Sequence, residues 1–122
     1  MKSIITFNDA QSPELSSPAP EKVLSGSPRF SVWNHFADPT GQFFAGVWAS
    51  TRGRWRVRYT ENEFCHLLSG RAVIMDEQGA RYELKAGDSF VIPAGFAGTW
   101  EVIEDCRKLY AIFEPKASSS GT

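Results

Sequence analysis

Histidine is nearly absent from this chain. His35 and His66 are the two it has in 122 residues, and neither has a ligand-spaced partner. Divalent-metal sites normally draw three or four protein donors, so a multi-histidine centre is excluded and no metal or other cofactor is expected. Cysteine is equally scarce: Cys65 and Cys106 are too few for the disulfide framework of a small secreted domain. No apolar run approaches transmembrane length, and the opening MKSIITFNDAQSPELSSP lacks the continuous apolar stretch of a signal peptide. The formal net charge of −1 provides no field to draw nucleic acid or an anionic membrane. No window carries a convincing helical period, and no segment repeats. These absences leave a reduced, soluble, cytoplasmic protein as the expectation.

What is present is strand and aromatic. A chain of 122 residues is long enough for one sizeable core and not two. Nine Phe and four Trp bring large buried area, which favours a barrel with a furnished interior. Short alternating runs recur at Phe30 to Asn34, Phe43 to Ser50, Trp55 to Tyr59, Glu63 to Ser69 and Arg71 to Met75. They continue at Arg81 to Leu84, Ser89 to Ile92, Thr99 to Ile103 and Lys108 to Phe113, divided by ADPTG, TRGR, Gly70, DEQG, KAGD and PAG. Short strands without crossover helices argue for an all-β, closed or sandwiched antiparallel sheet, with a jelly-roll barrel as the best single form. Residues 1–28 read as an arm and loop, in which Ile4, Ile5 and Phe7 are expected to pair as an edge strand. Residues 29–115 form the barrel, and KASSSGT at 116–122 reads as a disordered tail.

Two stretches organise the rest: Tyr59 to Gly70, YTENEFCHLLSG, and Gly87 to Trp100, GDSFVIPAGFAGTW. In the first, six residues separate Glu63 from Gly70; in the second, Gly87, Pro93 and Gly95 fall as G-x5-P-x-G. These spacings resemble the paired motifs of the cupins, whose RmlC-like barrel is a double-stranded β-helix. Typical cupins read G-x5-H-x-H-x3,4-E-x6-G and then G-x5-P-x-G-x2-H. Counting back from Glu63 puts the histidine positions at Val57 and Tyr59, or at Arg56 and Arg58, and the last falls on Gly98. Of the expected three-histidine, one-glutamate ligand set, only the carboxylate remains. The wording GVWAS, RGRWRVRY, NEFCHLLSGRAV, LKAGDSFVIPAGFAGTWEV and RKLYAIFE is similar to one cupin branch in particular. That branch holds ethanolamine-utilisation cupins, is related to (S)-ureidoglycine aminohydrolases, and includes many small proteins of unknown function. The resemblance runs roughly from Phe43 to Glu114 and implies a barrel, often dimeric, without fixing a substrate.

Strand alternation sends every second side chain inward. With Glu63 inward, Cys65 and Leu67 follow, while Phe64, His66 and Leu68 face out or toward a partner. A buried carboxylate is costly unless paired, hydrogen-bonded or protonated. Glu63 is therefore the leading candidate, as acid–base or substrate anchor, the alternative being a structural carboxylate satisfied by a nearby cation or tyrosine. Tyr59 stands at a histidine position, and its phenol is expected to orient a ligand unless it is a plain core aromatic. Lys108 and Tyr110 share one face of the last strand, Leu109 and Ala111 the other, and parity alone does not choose. The cupin resemblance implies an inward Lys108, able to pair with Glu63 or hold an anionic group; a snorkelling surface lysine is the alternative.

Trp48, Trp55, Cys65, Trp100 and Tyr110 are expected as substrate contacts, with Trp100 closing the space that Gly98 leaves. Arg52, Arg54, Arg56 and Arg58 alternate as a solvated stripe or dimer rim. The function these residues suggest is a small-molecule-binding cupin, a homodimer with Phe64 and Leu68 among its contacts. Its ligand is a small polar metabolite, and the enzymatic form is metal-independent, with Glu63 as acid–base and Tyr59 or Lys108 as orienter. The competing reading is a non-catalytic ligand-sensing or accessory subunit that has lost its metal site. Composition and spacing leave open whether the chain is an enzyme.

Overall fold

Two long strands carry the architecture. The computed structural model describes residues 2–8 and 11–115, and the tail expected from 116 onward lies outside the described residues. Among them are β1 (Glu14–Ser16), a 3-10 turn (Pro20–Lys22), β2 (Val23–Gly26), β3 (Phe30–Ala37), β4 (Phe43–Ser50) and β5 (Gly53–Arg58). Then come β6 (Asn62–Asp76), β7 (Arg81–Lys85), β8 (Ser89–Ile92) and β9 (Ala97–Phe113). Strands β6 and β9 pair antiparallel from Asn62 opposite Phe113 to Asp76 opposite Gly98.

Each half of this ribbon takes different neighbours. On β9, Cys106 to Phe113 pair with β4, whereas Ala97 to Val102 pair with β5. On β6, Glu63 to His66 pair with β8, and Arg71 to Met75 pair with β7. One layer therefore runs β1-β3-β4-β9-β6-β8 and the other β2-β5-β9-β6-β7. A ribbon shared by two layers closes them into the all-β jelly-roll barrel that the sequence leads one to expect. Apolar side chains on the inner faces build its core around Trp55, Leu67, Ile74, Ile92, Trp100 and Val102.

The sequence reading puts a turn at Gly70 and a break between Ile103 and Lys108; the structure runs a strand through both. The chain bends there instead of reversing, and the β6–β9 register shifts between Leu67 and Ala72. Gly70 sits at φ +88, and a Cβ at that position would strike the Asp105 carbonyl oxygen. A glycine lets the two strands pass closely through the bend, so a residue that looks like a turn marks a bulge.

The first 28 residues also depart from an arm and loop, since they supply β1 to the edge of β3 and β2 to the edge of β5. Ile4, Ile5 and Phe7 form no strand, because Glu14–Ser16 already takes the β3 edge. Phe7 instead stacks on His35, with ring centroids 4.6 Å apart. Phe64 and Leu68 are exposed on the outer face, as their parity requires. Arg56 and Arg58 point to solvent on β5, opposite the inward Trp55. Among the described residues no helix is long and apolar enough to cross a membrane.

Candidate functional site

A cavity of about 680 Å³ opens between the two layers. Trp48, Trp55 and Trp100 form its aromatic wall, Tyr59 and Tyr110 add phenols, and Glu63 and Lys108 supply charge. Gln11 to Glu14 border it from the N-terminal segment, with Asn34, Phe44 and Ile112 from the first layer. Register explains the gathering. Trp48 lies opposite Lys108 and Gly46 opposite Tyr110 across β4–β9, while Trp55 faces Trp100 across β5–β9. The indoles of Trp55 and Trp100 are nearly parallel, 7° apart at 6.2 Å between centroids.

Lys108 points inward, at 3 % exposure, which settles the parity the sequence leaves open. It lies opposite Leu67, four residues along β6 from Glu63. At about 3.4 Å per residue that is roughly 14 Å of strand, so the two side chains must extend toward each other to meet. They do: Lys108 Nζ is 2.9 Å from Glu63 Oε2. On the way the ammonium passes Cys65 Sγ at 3.4 Å. It also lies 4.6 Å from the Trp48 ring centroid and 4.7 Å from that of Trp100. Burial alone would push the lysine down, but the Glu63 carboxylate beside it reverses that, and its pKa ends above the ordinary lysine value. Lys108 is thus held as an ammonium, unfit as a neutral amine nucleophile.

The phenols are fixed by neighbours. Trp100 Nε1 donates to the Tyr59 oxygen at 3.1 Å, and Tyr110 donates to Asn34 Oδ1 at 2.6 Å. Burial pushes Tyr59 well above the usual phenol range, and burial with help from Glu63 lifts Tyr110 to about 12, so both keep their protons at neutral pH.

The model of the EutQ-like cupin domain matches residues 37–110, more than half of the chain. The chain belongs to the EutQ-like cupin domain family. Among solved structures, this EutQ-like cupin is similar to a Pseudomonas syringae protein of unknown function in the DUF861 family. The two are 27 % identical with a TM-score of 0.75, over 90 % of this chain and 44 % of that one. The EutQ protein of Clostridium difficile is 15 % identical with a TM-score of 0.65, over 74 % of this chain and 66 % of that one. A DUF861 family protein of Thermotoga maritima is 23 % identical with a TM-score of 0.52, over 80 % and 96 %. The last two are likenesses of fold. This chain spans less than half of the Pseudomonas protein and just under two thirds of the Clostridium one. No curated protein matches the sequence.

The residues of this EutQ-like cupin do not fit the metal centre usual for the barrel. Among the described residues no three His, Cys, Asp or Glu side chains come together. Glu63 is bound to Lys108, and the Tyr59 oxygen accepts from Trp100. Gly98 leaves no space either, because a Cβ there would strike the Met75 carbonyl oxygen. That corrects the expectation of a gap at Gly98: its smallness serves the close approach of β6, and Trp100 fills nothing that Gly98 vacates.

Cys65 is corrected too. It is fully buried beneath the cavity and is absent from its lining, so it does not contact a ligand there. Burial pushes its thiol up to about 12 and that of Cys106 up to about 11. Both cysteines are expected to ignore a thiol reagent at neutral pH in the folded protein and to titrate together once it unfolds. One thiol reacting at the rate of a free cysteine under native conditions would show that this burial is wrong.

The sequence reading missed Asn34 and the Gln11–Glu14 border. Asn34 is two residues beyond Val32 on a strand whose alternation was visible, so its inward parity was a usable signal. Gly46 makes the contact possible: a Cβ there would lie 2.7 Å from the Tyr110 hydroxyl and strike the Trp33 carbonyl oxygen.

Proposed function

We propose that this EutQ-like cupin binds a small polar metabolite inside its barrel through its own side chains, without a metal centre. The observation that carries the reading is the cavity itself: aromatic walls enclosing a buried, paired lysine and glutamate, bordered by phenols and the amides of Asn34 and Gln11. Pockets of this kind, mostly apolar with a few fixed polar groups, suit small-molecule recognition. Glu63 is the anchor, Tyr59 the orienting group, and Lys108 the cation that holds Glu63 in place. The salt bridge favours binding over turnover, because a general acid or base needs a carboxyl free to trade its proton with substrate. The motif wording supports descent shared with (S)-ureidoglycine aminohydrolases, and it carries no substrate with it.

Glu63→Gln tests the reading, since glutamine retains an oxygen for Lys108 while removing the charge. A thermal-shift screen of small polar metabolites should find compounds that stabilise the wild type. For these, the variant should bind about tenfold to a hundredfold more weakly, the loss of one charge-assisted hydrogen bond. Equal responses of the two proteins to every hit would make Glu63 purely structural.

A further inference from the structure

The hydrogen-bonding capacity left over in the cavity narrows the ligand further. An indole N–H can only donate. The 3.1 Å contact from Trp100 Nε1 therefore uses the Tyr59 oxygen as acceptor, and the Tyr59 hydroxyl hydrogen is left to donate elsewhere. Asn34 Oδ1 is taken by Tyr110 at 2.6 Å, so its amide NH2 is what remains on the cavity wall. Both groups offer donors, while Gln11 and Ser12 on the border carry donors and acceptors but are exposed to solvent.

Charge, by contrast, is already satisfied. The Lys108 ammonium is ringed by Glu63, Cys65 and the faces of Trp48 and Trp100, and is 3 % exposed. A ligand carboxylate would find no free cation and would approach Glu63, with Glu14 also on the lining. A ligand ammonium would find the Glu63 charge already neutralised by Lys108 and two indole faces already covered, which leaves Glu63 to accept only from a neutral donor on the ligand, such as an amide N–H. Glu14 is exposed, and solvent weakens its pull.

We propose that the ligand is uncharged and presents a carbonyl-type oxygen, on an apolar body, to Tyr59 and Asn34. This rests on the barrel cavity being the binding site. Three probes of one shape decide it: benzamide, benzoate and benzylamine, titrated while the tryptophan indole N–H signals are followed by NMR. Trp48, Trp55 and Trp100 line the cavity, whereas Trp33 lies on the outer face under Arg107 and serves as control. Benzamide should move the three cavity signals, leave Trp33 in place, and bind about tenfold more tightly than either charged probe, as one well-placed hydrogen bond allows.

Asn34→Asp retains an oxygen toward Tyr110 while turning the remaining donor into an acceptor. It should weaken benzamide and strengthen benzylamine, an exchange of preference that a merely structural Asn34 would not produce. Benzoate or benzylamine binding as tightly as benzamide to the wild type, through the same three signals, overturns the uncharged class and leaves the cavity reading standing. An unchanged preference in Asn34→Asp overturns the role of Asn34 and with it the proposal. If no probe moves the cavity signals, or only Trp33 responds, the cavity reading falls and this inference with it.

Discussion

Lys108→Met is expected to lower the unfolding free energy by about 3–5 kcal/mol, because it leaves the Glu63 carboxylate buried without its partner. Glu63 is 6 % exposed and Lys108 3 %, so little of the pair is open to the water that would replace the lost ammonium. Methionine fills much of the lysine stem's volume, which keeps cavity formation from dominating the result. Glu63→Leu added to the same chain should recover most of the loss, since two apolar residues in place of a buried ion pair are often neutral or better. Urea unfolding of the wild type, the single and the double variant measures both effects. A loss below about 1 kcal/mol in the single variant, as for an exposed pair, would mean the pair is not buried as described.

The same pair sets a pH signature. The folded pKa of Lys108 lies above its unfolded value, so its stabilising contribution is fully present below about 10.4, the ordinary lysine value. That contribution declines only as pH rises further, through the higher folded value. Wild-type stability should therefore show no loss from this group across neutral and mildly alkaline pH, and Lys108→Met should lack the strongly alkaline decline it causes.

Trp100→Ala is the second large effect, expected to cost about 3–5 kcal/mol, in the range for a buried tryptophan truncated to alanine. Trp100 is 1 % exposed and touches the site on every side. It stacks on Trp55, tilts against Trp48 at 5.5 Å and Phe90 at 6.3 Å, and donates to Tyr59. Its removal leaves a cavity among rings held by the strands around them, which can collapse only in part. It also frees the Tyr59 oxygen that fixes the phenol's donor direction. The expected result is a large drop in the urea midpoint with an unchanged slope. A loss under about 1 kcal/mol would indicate that the aromatic cluster repacks freely and that the cavity is not preformed.

Much of the barrel was legible because strand alternation is a local property. In β6, Glu63, Cys65 and Leu67 had to share a face, and in β9 Lys108 had to share one with Tyr110, whatever the rest of the chain did. The motif spacing of Glu63, Gly70, Gly87, Pro93 and Gly95 pointed to the barrel, and the scarcity of histidine set its residues apart from the three-histidine, one-glutamate set. What local pattern could not decide was which face of β9 turned inward, since both are partly apolar. Only pairing with β4 and β6 brought Lys108 under Trp48 and within 2.9 Å of Glu63.

Gly70 and Gly98 show the same limit from the other side. A glycine in sequence signals freedom of backbone, which reads as a turn at Gly70 and as a vacancy at Gly98. Through space, the carbonyls of Asp105 and Met75 stand where their Cβ atoms would be. Residue types and spacing determined a β-barrel with an aromatic, carboxylate-bearing interior, because alternation and turn chemistry act within a few residues. The Lys108–Glu63 pair, the donor edge of Asn34 and the Gln11–Glu14 border depended on strands distant in sequence, so only tertiary register decided them.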